Sequence, residues 1–199
     1  MNFIDKQTVQ MTAYLLLALT ATQALYTVLH LAEVSVPRQL LWGLECLLFT
    51  ILAAFAGAAL VKSTSHQVGW SAIAFSSVLN VIQVSVGLAM FKPFREASGQ
   101  LEALEPLAGA VVALSFMVYY AAKLLLGFSA LIFGLAKIGE GAKALGGITA
   151  LVGVVAMLPN AILIMFGREA FLPSAVAGGT GVLATLLLAL CLLSSGRKT

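Results

Sequence analysis

Apolar residues in this chain fall into six long runs separated by short polar breaks. The runs are roughly Met11–Ala32, Leu40–Val61, Trp70–Phe91, Leu107–Ala136, Ile148–Phe166 and Thr180–Ser194, the last extending a little on its N-terminal side. None alternates polar and apolar positions as barrel strands do, and all are too long for strands. About 20 apolar residues in a helix cross a bilayer core of about 30 Å. The pattern predicts an all-α fold: a polytopic integral membrane bundle of about six transmembrane helices with short loops. It forms a single domain over residues 1–199.

The breaks carry turn chemistry. SVPRQ places Pro37 where a helix start or turn is expected, and KIGEGAKALGG is rich in Gly and Lys. The longest break, KPFREASGQLEALEP, spans residues 92–106. The start of the chain lacks a charged segment, a short apolar run and a small-residue cleavage site in that order. It reads as a retained span, not as a secretory leader.

Composition sharpens the class. The chain is 61% hydrophobic and 10% charged, against about 25% charged in soluble domains. So little charge does not cover a water-facing surface, and the bilayer is the expected surrounding partner. The net charge of +3 sits in short loops, where it sets orientation and offers no footprint for nucleic acid. Lys6, Lys62, Lys137, Lys143, Arg197 and Lys198 fall on the side of the two termini; Arg38, Lys92, Arg95 and Arg168 fall on the other. The bias predicts both termini in the cytoplasm and an inner or plasma membrane.

Polar side chains inside the runs are the candidate chemistry. Lys123 is the one charge in LAGAVVALSFMVYYAAKLLLGFSALIFGLA. A lysine at the centre of a span costs about 2.5–3.5 kcal/mol on insertion scales, so it faces protein, water or an interface. Tyr119 lies one turn before it. In span one Gln23, Tyr26, Thr27, His30 and Glu33 recur at helical spacing and share a face. Span two returns through a short link and brings Glu45 to the depth of Thr27–His30, which predicts a contact with His30 or Lys123. Span three carries Ser76, Asn80 and Gln83 on one face. Span five holds Pro159–Asn160, where the missing backbone donor predicts a kink with Asn160 facing inward. Gln23, His30, Glu45, Asn80, Gln83, Tyr119, Lys123 and Asn160 are therefore the candidate ligand-binding residues. Lys123 is expected in the cytoplasmic half of its span.

A structural role competes at every one of these positions. Polar stripes on membrane helices also tie helices together, at well under about 2 kcal/mol per contact. A lysine stem can run along its helix until the ammonium reaches the interface. A short internal match pairs Asn80 with Asn160, each followed by Met-Phe and then by Arg-Glu-Ala at 95–97 or 168–170. It fits three helical hairpins and is too short to argue function from.

Other chemistry finds no support in the residues. The chain lacks GxSxG, HExxH and a P-loop. His30 and His66 fall on opposite sides of the bilayer, and Cys46 and Cys191 lie in apolar spans as small hydrophobes. No metal or other cofactor is implied. The leading expectation is a small transporter or channel subunit for a small polar or ionic solute, alone or as an oligomer. The alternative is a non-catalytic accessory or scaffold subunit of a membrane complex. An enzyme using His30 and nearby carboxylates on a lipid or quinone is the weakest reading.

Overall fold

A computed structural model of the chain describes residues 3–34, 37–167 and 170–195. These form six long helices: α1 (Phe3–Leu31), α2 (Arg38–Lys62), α3 (Gln67–Gln100), α4 (Glu105–Gly139), α5 (Lys143–Phe166) and α6 (Ser174–Ser195). A single 3-10 turn, Glu102–Leu104, joins α3 to α4, and the described residues contain no strand. Each of the six helices holds a stretch long and apolar enough to cross a membrane. Arg168, Glu169, Arg197 and Lys198, which enter the charge count and the internal match, lie outside the described residues.

Consecutive helices run antiparallel. Between α3 and α4, Gly69 meets Ser129, Ser76 meets Ala122 and Gln83 meets Ser115. One helix steps up by seven residues as the other steps down by seven, the register of a straight antiparallel seam. Gly69, Ser76 and Gln83 thus lie along one stripe of α3. We call the end at which α1, α3 and α5 start the near end, and the opposite one the far end.

Five helices close a ring. α1 packs on α2, α2 on α3, α3 on α4, α4 on α6, and α6 back on α1; α5 lies outside, against α4 and α6. The outer helix gets close because glycine removes side chains from the seam. A Cβ on Gly134 would stand 2.5 Å from the Ala150 nitrogen, and one on Gly153 would stand 2.6 Å from the Gly127 carbonyl oxygen. Such close approach gives the seam extensive van der Waals contact between backbones.

The polar segment after span three differs from expectation. Residues 92–100 continue α3 as helix, with Pro93 inside it. α3 and α4 are 34 and 35 residues long, about 50 Å at 1.5 Å per residue. They overshoot the other four helices at the far end, since α1, α2, α5 and α6 are 22–29 residues long. Helix α6 likewise starts earlier than the apolar run alone indicates, at Ser174.

The outer faces are apolar. Leu40, Leu44, Leu47 and Ile51 form an exposed stripe on α2, and Leu151, Leu158 and Met165 another on α5. Water-soluble monomers rarely leave contiguous apolar faces of this kind uncovered.

Candidate functional site

Lys123 sits on the inner side of α4 and has no exposed surface. Its Nζ donates a 2.7 Å hydrogen bond to Oε1 of Gln23 on α1. The ammonium also lies 5.3 Å from the ring centroid of Tyr119, one turn earlier on α4, within cation–π range. The lysine stem has room because α6 presents Gly181. A Cβ there would stand 2.9 Å from Cδ of Lys123. Gly178, one turn before it, faces the Tyr119 hydroxyl less closely, 3.4 Å from where a Cβ would stand.

Glu45 of α2 completes the layer. It is 6% exposed and acts electrostatically on both Lys123 and Tyr119. The lysine's hydrogen-bond partner is nonetheless the Gln23 amide. Thr22, next to Gln23, lies within hydrogen-bonding reach of the Glu45 carboxyl. Its hydroxyl also donates to the Leu19 carbonyl at 3.0 Å. A hydroxyl has one proton to give. An ionised Glu45 must therefore draw the Thr22 proton away from Leu19, whereas a protonated Glu45 can donate to Thr22 and leave that bond in place.

Asn80 and Asn160 are buried beside this layer in similar local arrangements. Asn80 Nδ2 donates to the Ser76 carbonyl at 2.9 Å, and Asn160 Nδ2 to the Ala156 carbonyl at 2.8 Å. Asn160 also reaches the Ala177 carbonyl on α6 at 3.3 Å, next to the Gly178 that meets Tyr119. Ser76 donates to the carbonyl of Ala122, the residue before Lys123, at 2.8 Å. In both asparagines Oδ1 is buried without a hydrogen-bond partner. An unpaired buried acceptor of this type costs about 1–3 kcal/mol, and it suits a water or a donor-bearing solute.

Two candidates stand apart. Gln83 faces Ser115 in the α3–α4 seam, with bonds of 3.4 and 3.2 Å between them. His30 is exposed near the far end of α1 and stacks on Tyr26, with centroids 6.1 Å apart. Tyr26 continues to Trp42, which seats its ring in the space left by Gly87 and carries Arg38 over it. The expected Glu45–His30 contact does not form. His30 shares the face of Gln23 but lies seven residues further along, about 10 Å nearer the helix end.

The depth of Lys123 also differs from expectation. Gln23, Glu45, Asn160 and Gly181 lie six to eight residues from the far ends of their helices, about 9–12 Å. Lys123 shares that level, so it belongs to the far half of the bundle. It sits at the middle of α4 only because α4 overshoots its neighbours.

Beneath the polar layer the ring is sealed. Leu16, Leu52, Ile73, Leu126 and Leu188, one from each ring helix, are all fully buried. Each lies nearer the near end than the polar-layer residue of its own helix. Beyond the seal, the near end opens into a cavity of about 280 Å³ between α1, α3, α4 and α6. A second cavity, about 320 Å³, lies at the far end against Tyr120, Phe116 and Leu163. The side chains of the polar layer line neither cavity.

No protein family, curated protein or solved structure matches this chain. Its function therefore has to be read from the site itself. Among the described residues, no three His, Cys, Asp or Glu side chains gather as metal ligands would. The chemistry on offer is one ammonium, one carboxyl, one phenol and three amides, arranged in a layer that crosses the ring and reaches α5 at Asn160. Thr22, Ser76 and Gly181 belong to it too. In sequence, Ser76 shows itself by sharing a face with Asn80, and Thr22 only by adjoining Gln23. Gly181 reads there as a helix-packing residue, with nothing to mark it as the floor under the lysine.

Proposed function

We propose that this chain is a polytopic membrane protein that passes a small polar or ionic solute along the axis of the five-helix ring. In this reading the present conformation is the closed one. The observation that carries it is Lys123: fully buried, and bridging α4 to α1 through the Gln23 amide. A charge held at that depth is expensive, and intramembrane charges mark ion and solute pathways more often than they serve packing. The order along the axis supports the same reading. A polar layer, a leucine-rich seal and a basic mouth follow one another from the far half to the near end. Opening would require Lys123 to leave Gln23, after which Gln23, Glu45 and Tyr119 become groups that a solute can meet.

The apolar outer faces of α2 and α5 support insertion in a bilayer, and the basic bias of the near end supports a cytoplasmic location for it. The test is flux in liposomes containing the purified chain, with a panel of small anions, cations and amines, beside Lys123→Met. A solute carried by the parent and lost in the variant supports the proposal.

One observation favours a second reading, that of an accessory subunit in a membrane complex. The polar layer is tightly packed and lines neither cavity, as it would if its hydrogen bonds only tied helices together. Absence of flux for the whole panel, together with stable co-purification of the chain with another membrane protein, would favour it.

A further inference from the structure

We infer that the solute of the polar layer is a primary ammonium on a short alkyl chain, and that Lys123 is its tethered counterpart: the solute takes over the place that the lysine ammonium holds in the closed state. This rests on the transport reading above and narrows it to one substrate class.

The groups around the lysine are those an ammonium needs. Gln23 Oε1 accepts from Nζ at 2.7 Å, the Tyr119 ring centroid lies 5.3 Å away, and Glu45 of α2 supplies the opposite charge. An amide oxygen, an aromatic face and a carboxylate are ligands for a cation with N–H groups. The carbon stem has a lane of its own. Gly181 leaves it open, since a Cβ there would stand 2.9–3.2 Å from Cδ, Cγ and Cβ of the lysine. A bare metal cation would leave that lane empty, whereas an alkyl chain fills it.

What the layer leaves unpaired lies on the acceptor side. Asn80 and Asn160 each spend Nδ2 on a main-chain carbonyl one turn earlier, at 2.9 and 2.8 Å. Reversing either amide would set oxygen against oxygen, so Oδ1 is the atom left over in both, buried and without a partner. The two amides flank one turn of α4. Ser76 meets Ala122 and Gln83 meets Ser115, which brings Asn80 level with Val118 and Tyr119. Asn160 comes from the other side and reaches the Ala177 carbonyl, beside the Gly178 that faces the Tyr119 hydroxyl. Two spare oxygens thus stand at the height of the lysine's aromatic neighbour.

An anion fits the layer poorly. The Ser76 hydroxyl is spent on the Ala122 carbonyl, and the Thr22 hydroxyl on Leu19 or Glu45. The donors left are the Tyr119 hydroxyl and Lys123 itself, so an anion would face the Glu45 carboxyl and two amide oxygens with little to hold it. Two ammonium groups beside a single carboxyl repel each other. The solute therefore enters only as Lys123 withdraws from Gln23, the same step that opens the path.

Uptake by the full chain in liposomes tests the class, with labelled n-propylammonium, propionate and rubidium at equal ionic strength and the leak into protein-free liposomes subtracted. Propylammonium should be carried at least about tenfold better than the other two. Asn80→Leu/Asn160→Leu should raise the KM for propylammonium by about tenfold, since the spare oxygens otherwise receive N–H groups of a cation. A second measurement does not depend on flux. Lys123→Ala removes Cγ, Cδ, Cε and Nζ, the atoms that n-propylammonium restores. In nanodiscs propylammonium should raise the apparent Tm of that variant by about 3 °C, and propanol and propionate should not. Preferential uptake of propionate or rubidium overturns the inference and leaves the transport reading standing. Absence of all uptake overturns the transport reading, and the substrate class with it. An unmoved KM in the asparagine double variant, or a Tm of Lys123→Ala that propylammonium raises no more than propanol or propionate does, also overturns the inference.

Discussion

Lys123 and Gln23 share a 2.7 Å hydrogen bond although the helices that carry them, α4 and α1, bring no Cα atoms within 8 Å of each other. The lysine stem spans the ring that the other contacts close. Two consequences follow from the length of that side chain. The ammonium has one amide oxygen as its hydrogen-bond partner, and the Glu45 carboxyl balances it electrostatically. Gln23→Ala should therefore destabilise the fold by about 1–3 kcal/mol, because a buried donor is left without that acceptor. Lys123→Met and Glu45→Gln should each destabilise, while the double variant should recover at least about 1 kcal/mol of the summed loss. Reversible unfolding of the four proteins in one detergent provides the cycle, and strict additivity would show that the two groups do not interact.

The α4–α5 seam makes a prediction that owes nothing to function. Gly134→Ala places a Cβ 2.5 Å from the Ala150 nitrogen, and Gly146→Ala places one 2.6 Å from the Gly134 carbonyl oxygen. Backbone cannot swing aside as a side-chain tip can, so each should cost about 1–3 kcal/mol. At Gly57 on α2, a Cβ would have no neighbour within 4 Å. Gly57→Ala should instead stabilise by up to about 1 kcal/mol through helix propensity. Thermal unfolding of the three variants decides it, and a loss in Gly57→Ala equal to that in Gly134→Ala would contradict the seam.

The contrast between Gly57 and Gly134 shows how far the sequence can be read. Six apolar runs announce six helices, and the long run around Lys123 announces a charge that needs company. The identity of that company depends on how each helix is rotated and how far it slides, and periodicity within one helix contains neither quantity. Glu45 is the natural partner by charge, yet Gln23 holds the ammonium and Glu45 acts alongside. His30 shares a stripe with Gln23, but its height on α1 takes it out of the layer. The depth of Lys123 escapes the sequence for a related reason: Pro93 and the charged residues around it read as a loop, whereas α3 runs on as helix through Gln100. Glycines look alike in sequence, and only the neighbouring helix separates Gly57 from Gly134.

Gln83 and Lys123 should behave differently if one ties helices and the other governs passage. The Gln83–Ser115 bonds are long and only partly buried. Gln83→Ala should cost less than about 1 kcal/mol and leave any flux in liposomes within about twofold of the parent, a change of under roughly 0.5 kcal/mol. Gly181→Val should do the reverse. A side chain there presses on Cδ, Cγ and Cβ of Lys123, so the ammonium should be displaced from Gln23 at a cost of about 1–3 kcal/mol. Loss of flux in Gly181→Val, with a lowered Tm but a folded protein, beside retained flux in Gln83→Ala is the expected pattern. Equal flux in both variants would mean that the position of Lys123 does not matter to passage.

The orientation of the bundle can be tested without knowing the solute. Thr64 lies in the exposed link between α2 and α3 at the near end, and Ser98 is on the overshooting turns of α3 at the far end. With Cys46 and Cys191 replaced by Ala, Thr64→Cys and Ser98→Cys each offer a single thiol. The single apolar run between the two positions implies that they lie on opposite sides of a bilayer. The excess of Lys and Arg at the near end implies that Thr64 is cytoplasmic. In intact cells a membrane-impermeant maleimide should label Ser98→Cys at once and Thr64→Cys only after permeabilisation. The inverse pattern would turn the bundle over and put the basic mouth outside. Labelling of both thiols in intact cells would argue that α3 does not cross a membrane.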